Sequence, residues 1–288
     1  MNKMTLLTAS LLVTMSAQAE NNSHLTLKVY NADSSSFNVN STLVYGNSEA
    51  VVIDAGFTKA DALRITASIL DSGKELTTIF VSQADPDYYF GVELLKQYFP
   101  DVKVIATPEV RQVIQKKMAS KMKIWAPKMG VNAPSNPILP DAYSLSSFTV
   151  DGYNIEIKGT EGVLATRPYL WIPSQKAIVG NVAVFGNLHA WMADTQTSEH
   201  LNAWSEQLNE MKALNPKVVV PGHMKAGTAL DASSIQTTQD YIEAFKKAKN
   251  NSESSQALID KMLTIYPEEQ VPVSLLIGAK VHMGEMKW

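Results

Sequence analysis

The 288-residue chain contains no cysteine. No disulfide can staple it and no thiolate can act as nucleophile or metal ligand, so its stability must come from core packing, which this length permits. An excess of positive charge is lacking as well. A formal net charge of −3 does not supply the basic surface that nucleic acid or an anionic membrane selects. Also absent are a G-x-S-x-G elbow, a Walker-type Gly-Lys-Ser/Thr loop and a G-x-G-x-x-G turn, so no ready-made nucleophile or phosphate cradle is on offer. No fixed-period repeat marks a solenoid. What remains is a composition of 45% hydrophobic and 18% charged residues, ordinary for a globular protein with a large core.

Residues 1–19 read as a leader. Lys3 gives a positive start, Met4 to Met15 form a short apolar run, and Ala17-Gln18-Ala19 has the small-x-small pattern of a cleavage site before Glu20. The run is shorter than the about 20 residues of a spanning helix. The expectation is a cleaved signal, with a mature domain over residues 20–288 that is periplasmic or secreted and makes no membrane insertion after cleavage.

Beyond the leader, strand and helix patterns alternate. Leu25 to Tyr30 and Phe37 to Tyr45 alternate apolar and polar residues, and Ala50 to Asp54 is a buried strand ending in an Asp-Ala-Gly turn. Asp61 to Leu70 has helical spacing, Thr78 to Val81 reads as a strand, Glu93 to Phe99 reads as a helix stopped by Pro100 within a helical run that starts at Tyr88, and Lys103 to Ala106 is a strand. Residues 108–140 break the rhythm with a basic helical stretch at Val110 to Lys123 and then a proline-rich loop, read as an insertion over the face of the domain. Strands resume at Tyr153 to Lys158, Tyr169 to Ile172 and Ala177 to Val179. A helix from Glu199 to Leu214 leads to a strand at Lys217 to Val220, and helices at Ile235 to Lys249 and Ser255 to Ile265 close the pattern. This alternation is α/β.

The chemistry centres on Ser82-Gln83-Ala84-Asp85-Pro86-Asp87-Tyr88-Tyr89-Phe90-Gly91. Its spacing matches T-H-x-H-x-D-H-x-x-G, a dinuclear-metal motif. With the strand and turn at Val51 to Gly56, the strand ending in Gly180-Asn181, and Val220-Pro221-Gly222-His223, four motifs stand in order. On these residues the chain resembles the metallo-β-lactamase superfamily of zinc-dependent hydrolases. The resemblance implies a four-layer αβ/βα sandwich with the site at one edge between two sheets.

The resemblance also implies where metal ligands would stand, and most are replaced. Gln83, Asp85 and Tyr88 occupy histidine positions, Asn181 the position of a bridging aspartate, and no histidine appears in Gly159-Thr160-Glu161-Gly162, where Glu161 offers only a carboxylate. The cysteine that sometimes ligates the second metal in this family has no counterpart. Asp87 and His223 keep the family's residue types. An amide is a weak zinc ligand and a phenol with pKa near 10 is rarely ionised. The expected cofactor is therefore none, or one divalent ion held by some of Asp85, Asp87, Glu161 and His223. An oxygen-rich set of this kind would favour Mg, Ca or Mn, and a dinuclear zinc pair is not expected.

Two functions follow. In one, a remodelled hydrolase uses Asp85, Asp87 and His223 as acid, base or ligands to one ion, acting on a small molecule. In the other, a catalytically silent pseudo-hydrolase binds a small polar ligand through Gln83, Tyr88, Asn181 and His223. His189, beside Trp191 and eight residues past Asn181, resembles a histidine-tryptophan stretch that some secreted members of the family have near the pocket mouth, which implies a further candidate there. Each residue also has a plain structural alternative: Asp87 as a helix N-cap, Asp85 shaping the turn before Pro86, Tyr88 as pocket wall, His189 as a packing residue.

Overall fold

The computed structural model describes residues 25–269 and 272–288. The leader expected at 1–19 lies outside the described residues. Among those described, no helix is long and apolar enough to cross a membrane.

Six strands form the first sheet: β1 (Thr26–Asn31), β2 (Asn40–Tyr45), β3 (Glu49–Ile53), β4 (Glu75–Phe80), β5 (Lys103–Ala106) and β6 (Asp141–Ala142), in spatial order of sequence. The first three are antiparallel, and from β3 to β6 the pairing is parallel. The helices α1 (Lys59–Ser72), α2 (Pro86–Tyr89), α3 (Val92–Tyr98) and α4 (Pro108–Met129) occur within this half. A second sheet of β7 (Ser147–Val150), β8 (Tyr153–Lys158), β9 (Tyr169–Ile172), β10 (Ala177–Val179) and β12 (Val218–Val219) runs in the order β12-β10-β9-β8-β7, and a two-stranded ribbon joins β11 (Phe185–Gly186) to β13 (His223–Met224). Helices α5 (Ser198–Ala213), α6 (Ser233–Asn250), α7 (Ser255–Ile265) and α8 (Pro272–His282) complete the chain.

Side-chain parity explains the layering. Val51 and Ile53 of β3 join Val44, Phe80, Leu170, Ile172, Ala177 and Val179 in an inter-sheet core. Ala50 and Val52 point the other way, into a core with Ile65 and Ile69 of α1, Leu95 of α3 and Val110 and Ile114 of α4. On the second sheet Tyr169, Trp171 and Ile178 face outward against Leu201, Trp204 and Leu208 of α5, Ile242 and Phe245 of α6, and Leu258 of α7. Strands buried on both faces read as continuous apolar runs, as these do. The result is the four-layer αβ/βα sandwich implied by the resemblance.

Four expectations about elements are corrected. Strand β2 starts at Asn40 because Phe37 and Asn38 are left-handed, with φ of 58° and 55°. The helix expected at Glu93 to Phe99 is α3, but the helical run does not extend back unbroken to Tyr88: it parts at Gly91, which is pressed so close to the Ala55 carbonyl that a Cβ would lie 2.0 Å from its oxygen. The helix expected at Val110 to Lys123 runs on to Met129 with Pro127 in its last turn, held there by Trp125 packing on Phe37 and Phe57 at 5.4 Å each. Finally, α8 follows α7 and buries Leu275 and Ala279 against the outer core.

Candidate functional site

The loops that leave the carboxyl ends of β3, β4, β10 and β12 meet at one edge, as ligand-binding loops of open α/β sheets do. The first carries Asp54, whose carboxylate accepts the Ser82 N–H at 2.7 Å and the Ser82 hydroxyl at 2.8 Å. Asp54 is buried, and desolvation lifts its pKa to about 7 against the pull of those two bonds. This clamp sets the start of the segment from Gln83 to Tyr88. Pro86, with its fixed φ, takes the first position of α2, so Asp85 and not Asp87 is the N-cap residue.

From the other side comes the Pro221-Gly222-His223 turn. Asn40 holds it by donating its backbone N–H to the Gly222 carbonyl at 2.9 Å and its side-chain amide to Pro221 at 2.7 Å. Gly222 in turn donates to Val184 at 3.0 Å. The His223 ring stacks on Phe185, with centroids 5.5 Å apart.

The two loops converge on His223. Its Nδ1 lies 2.9 Å from the Phe37 carbonyl and its Nε2 lies 3.0 Å from the Tyr88 hydroxyl and 3.6 Å from Asp87 Oδ2. A carbonyl only accepts, so Nδ1 carries the proton, Nε2 presents its lone pair, and the Tyr88 hydroxyl donates to it. The left-handed Phe37, a conformation bulky residues avoid, is what aims that carbonyl at the ring. Desolvation pushes Asp87 up to about 8, with Asp85 adding to it, and pushes His223 down to about 4. Burial first, then Asp87, also raises Tyr88 well above 10.0, its usual value. Each shift favours the uncharged form of its group.

The remaining candidates are engaged with other partners or lie away from this edge. Gln83 is buried and donates to the Pro168 carbonyl at 3.2 Å. Asn181 is buried and fully engaged, donating to Val220 and accepting from Val184 at 2.9 Å each. Asp85 is half-buried and paired at 3.0 Å with Lys121 of α4. His189 is buried in the outer core with Nδ1 at 3.1 Å from the Tyr241 hydroxyl. Glu161 lines a separate groove of about 850 Å³ with Glu199, Glu206, Gln207 and Glu210. Arg167, the hold of Ser82 on Asp54 and the carbonyl of Phe37 join the site without a motif to announce them. Arg167 left only the signal of an arginine set against the apolar strand Tyr169 to Ile172, in a chain with three arginines.

The model of the metallo-β-lactamase superfamily matches residues 36–223. The chain belongs to this superfamily. Its fold is similar to that of the DIM-1 metallo-β-lactamase, with TM-score 0.54, 18% identity, and 78% of this chain and 94% of that one covered. A metallo-β-lactamase from Pontibacter korlensis gives 0.53 at 18% identity, covering 76% and 94%. A metallo-β-lactamase family protein from Thermus thermophilus gives 0.62 at 15% identity, covering 90% and 91%. No curated protein sequence matches the chain. At these identities the similarity concerns the fold.

Zinc, the metal this superfamily membership implies, does not fit the donors found here. Among the described residues no three His, Cys, Asp or Glu side chains group closely enough to hold an ion. The one imidazole lone pair in the site is taken by the Tyr88 hydroxyl, and the amides of Gln83 and Asn181 are spent on backbone groups. Zinc needs three or four imidazole, thiolate or carboxylate donors.

Proposed function

We propose that this protein is a metal-independent member of its superfamily, a periplasmic or secreted pseudo-hydrolase that binds a small polar molecule at the Asp87–Tyr88–His223 edge. The observation that carries the proposal is the Tyr88 hydroxyl at 3.0 Å from His223 Nε2. It puts a neutral donor where a metal ligand needs a free lone pair. Neutral, desolvated groups in a preset geometry favour recognition of hydroxyl, amide or carbonyl groups. Hydrolysis by the Asp87–His223 pair alone has one observation in its favour, their 3.6 Å separation. The tautomer opposes it, because the base lone pair already accepts from Tyr88 and burial weakens it further.

The test is elemental analysis of the mature protein from zinc-supplemented culture after dialysis, with β-lactam turnover measured in parallel. Less than about 0.1 equivalent of metal is expected, with turnover far below the roughly 1 per second at the low end of enzyme rates. One or two tightly held equivalents, or ordinary enzymatic turnover, would overturn the reading.

A further inference from the structure

We infer that Arg167 is the receptor for an anionic group, a carboxylate or a phosphate, on the molecule that this site binds. Its side chain is buried, 8% exposed, and its guanidinium lies 4.7 Å over the ring of Trp204. Trp204 is itself fixed, its indole N–H donating to the Ala183 carbonyl at 2.8 Å. A guanidinium has five N–H donors. Among the described residues it makes one hydrogen bond, from Nη2 to the Val182 carbonyl at 3.5 Å, the long limit of such contacts, and Nη1 has no partner. No carboxylate among the described residues pairs with it.

An arginine this buried stays charged, and a buried charge without a partner costs several kcal/mol. The main chain that carries the side chain is fixed. The Arg167 N–H donates to Leu164 at 2.8 Å, its carbonyl accepts from Gln207 at 2.9 Å, and the next carbonyl, of Pro168, accepts from Gln83. The guanidinium is thus held beside Val182, the neighbour of Asn181, on the same loop that meets Gln83. It belongs to the edge where Tyr88 and His223 meet, and its charge is felt at both. The surrounding negative charges, Asp85 and Asp194, act on it only from beyond ion-pair range. Nη1 without a partner, beside an Nη2 that makes only one long bond, forms the planar fork that matches the two oxygens of a carboxylate or phosphate.

The inference rests on the metal-free reading of the site, and one experiment separates the two. Thermal unfolding of the full chain is followed after chelator treatment, with metal content measured, against sodium acetate and sodium phosphate at fixed ionic strength. A saturable rise in Tm is expected with at least one anion, and which one identifies the group. Arg167→Gln should weaken the apparent affinity at least tenfold. Arg167→Lys, which keeps the charge without the fork, should lie between and serves as the folded control if the glutamine variant does not fold. Metal-free protein whose anion response is unchanged in both variants, or that shows no saturable response to either anion, overturns the role of Arg167 and leaves the metal-free reading standing. A response that vanishes when chelation strips a bound metal, and survives in Arg167→Gln, overturns both.

Discussion

The Tyr88 hydroxyl donates to Nε2 of His223 across 3.0 Å, while the other ring nitrogen donates to Phe37. Both edges of the imidazole are therefore satisfied inside the protein, and the histidine that would face a metal in this superfamily instead ties two loops together. Such a chain of buried, mutually satisfied groups is rigid, and removing any one member exposes the cost of the others.

Tyr88→Phe keeps the ring and removes the donor. The buried Nε2 then loses its hydroxyl partner, so the variant should be destabilised by about 1–3 kcal/mol. Urea denaturation measures it. A loss below about 0.3 kcal/mol would show that the hydroxyl is not bonded to His223.

The pH dependence of stability follows from four buried groups. Asp87 and Asp54 have folded pKa values of about 8 and about 7 against 3.8 for the free group. The fold keeps protons that the unfolded chain has lost, so their contribution is full below pH 3.8 and disappears as pH rises through 7 and 8. His223 and His189 go the opposite way, down to about 4 from 6.5. Their contribution grows from pH 4 and is full above 6.5. The opposed slopes offset one another between pH 4 and 6.5, and above that only the carboxyls act. Each unmatched proton changes stability by about 1.4 kcal/mol per pH unit, so a fall on the order of 2–3 kcal/mol is expected from pH 6.5 to 8. Asp87→Asn, which mimics the protonated carboxyl, should flatten the part between pH 7 and 8. Urea titrations at three pH values decide it, and a parent equally stable at pH 6.5 and 8 would refute it.

Gly222 is packed where no side chain fits: a Cβ there would lie 2.0 Å from the Asn181 carbonyl oxygen and 2.8 Å from the Tyr88 hydroxyl. Gly222→Ala must push the Pro-Gly-His turn away from both. A loss of about 3 kcal/mol or more is expected, at the upper end for overpacking, together with altered tyrosine absorbance as Tyr88 leaves His223. A thermal midpoint within a degree of the parent would mean the turn yields freely.

The layering was legible in the sequence because it depends on local pattern. The run Tyr169 to Ile172 is apolar throughout, as a strand buried on both faces must be, and its alternate residues divide between two cores. The Asp87 and His223 neighbourhood was legible through motif spacing. What escaped depends on contacts between distant segments. Gly91 ends α2 because Ala55 stands against it, and Phe37 leaves the extended conformation to hold His223 from 186 positions away. Arg167 escaped for a related reason. In the sequence it is one cation before a strand, and only the fold reveals that no carboxylate among the described residues answers its charge.

Histidines at the replaced positions should bring back a metal site. If Gln83, Asp85, Asp87 and Tyr88 share an edge with His223, the combined change Gln83→His, Asp85→His and Tyr88→His should raise zinc affinity by orders of magnitude over the parent. The Tyr88 change matters most. It removes the hydroxyl that caps the His223 lone pair and sets an imidazole beside Asp87, whose carboxylate is already 3.6 Å from Nε2. Tyr88→His alone should therefore bind zinc measurably through Asp87, the new imidazole and His223, with Nδ1 of His223 already oriented by Phe37 as metal-bound histidines require. Zinc would also ionise Asp87, so binding should release a proton at pH 7, because that group is held largely protonated in the parent. Competition with a chromophoric chelator measures the affinity, and a weakly buffered titration with a pH indicator counts the proton. Hydrolysis need not return, since Asn181 remains committed to Val220 and Val184 and contributes no bridging charge. Equal zinc affinity in the parent and the triple variant, both folded by circular dichroism, would show that these side chains do not converge.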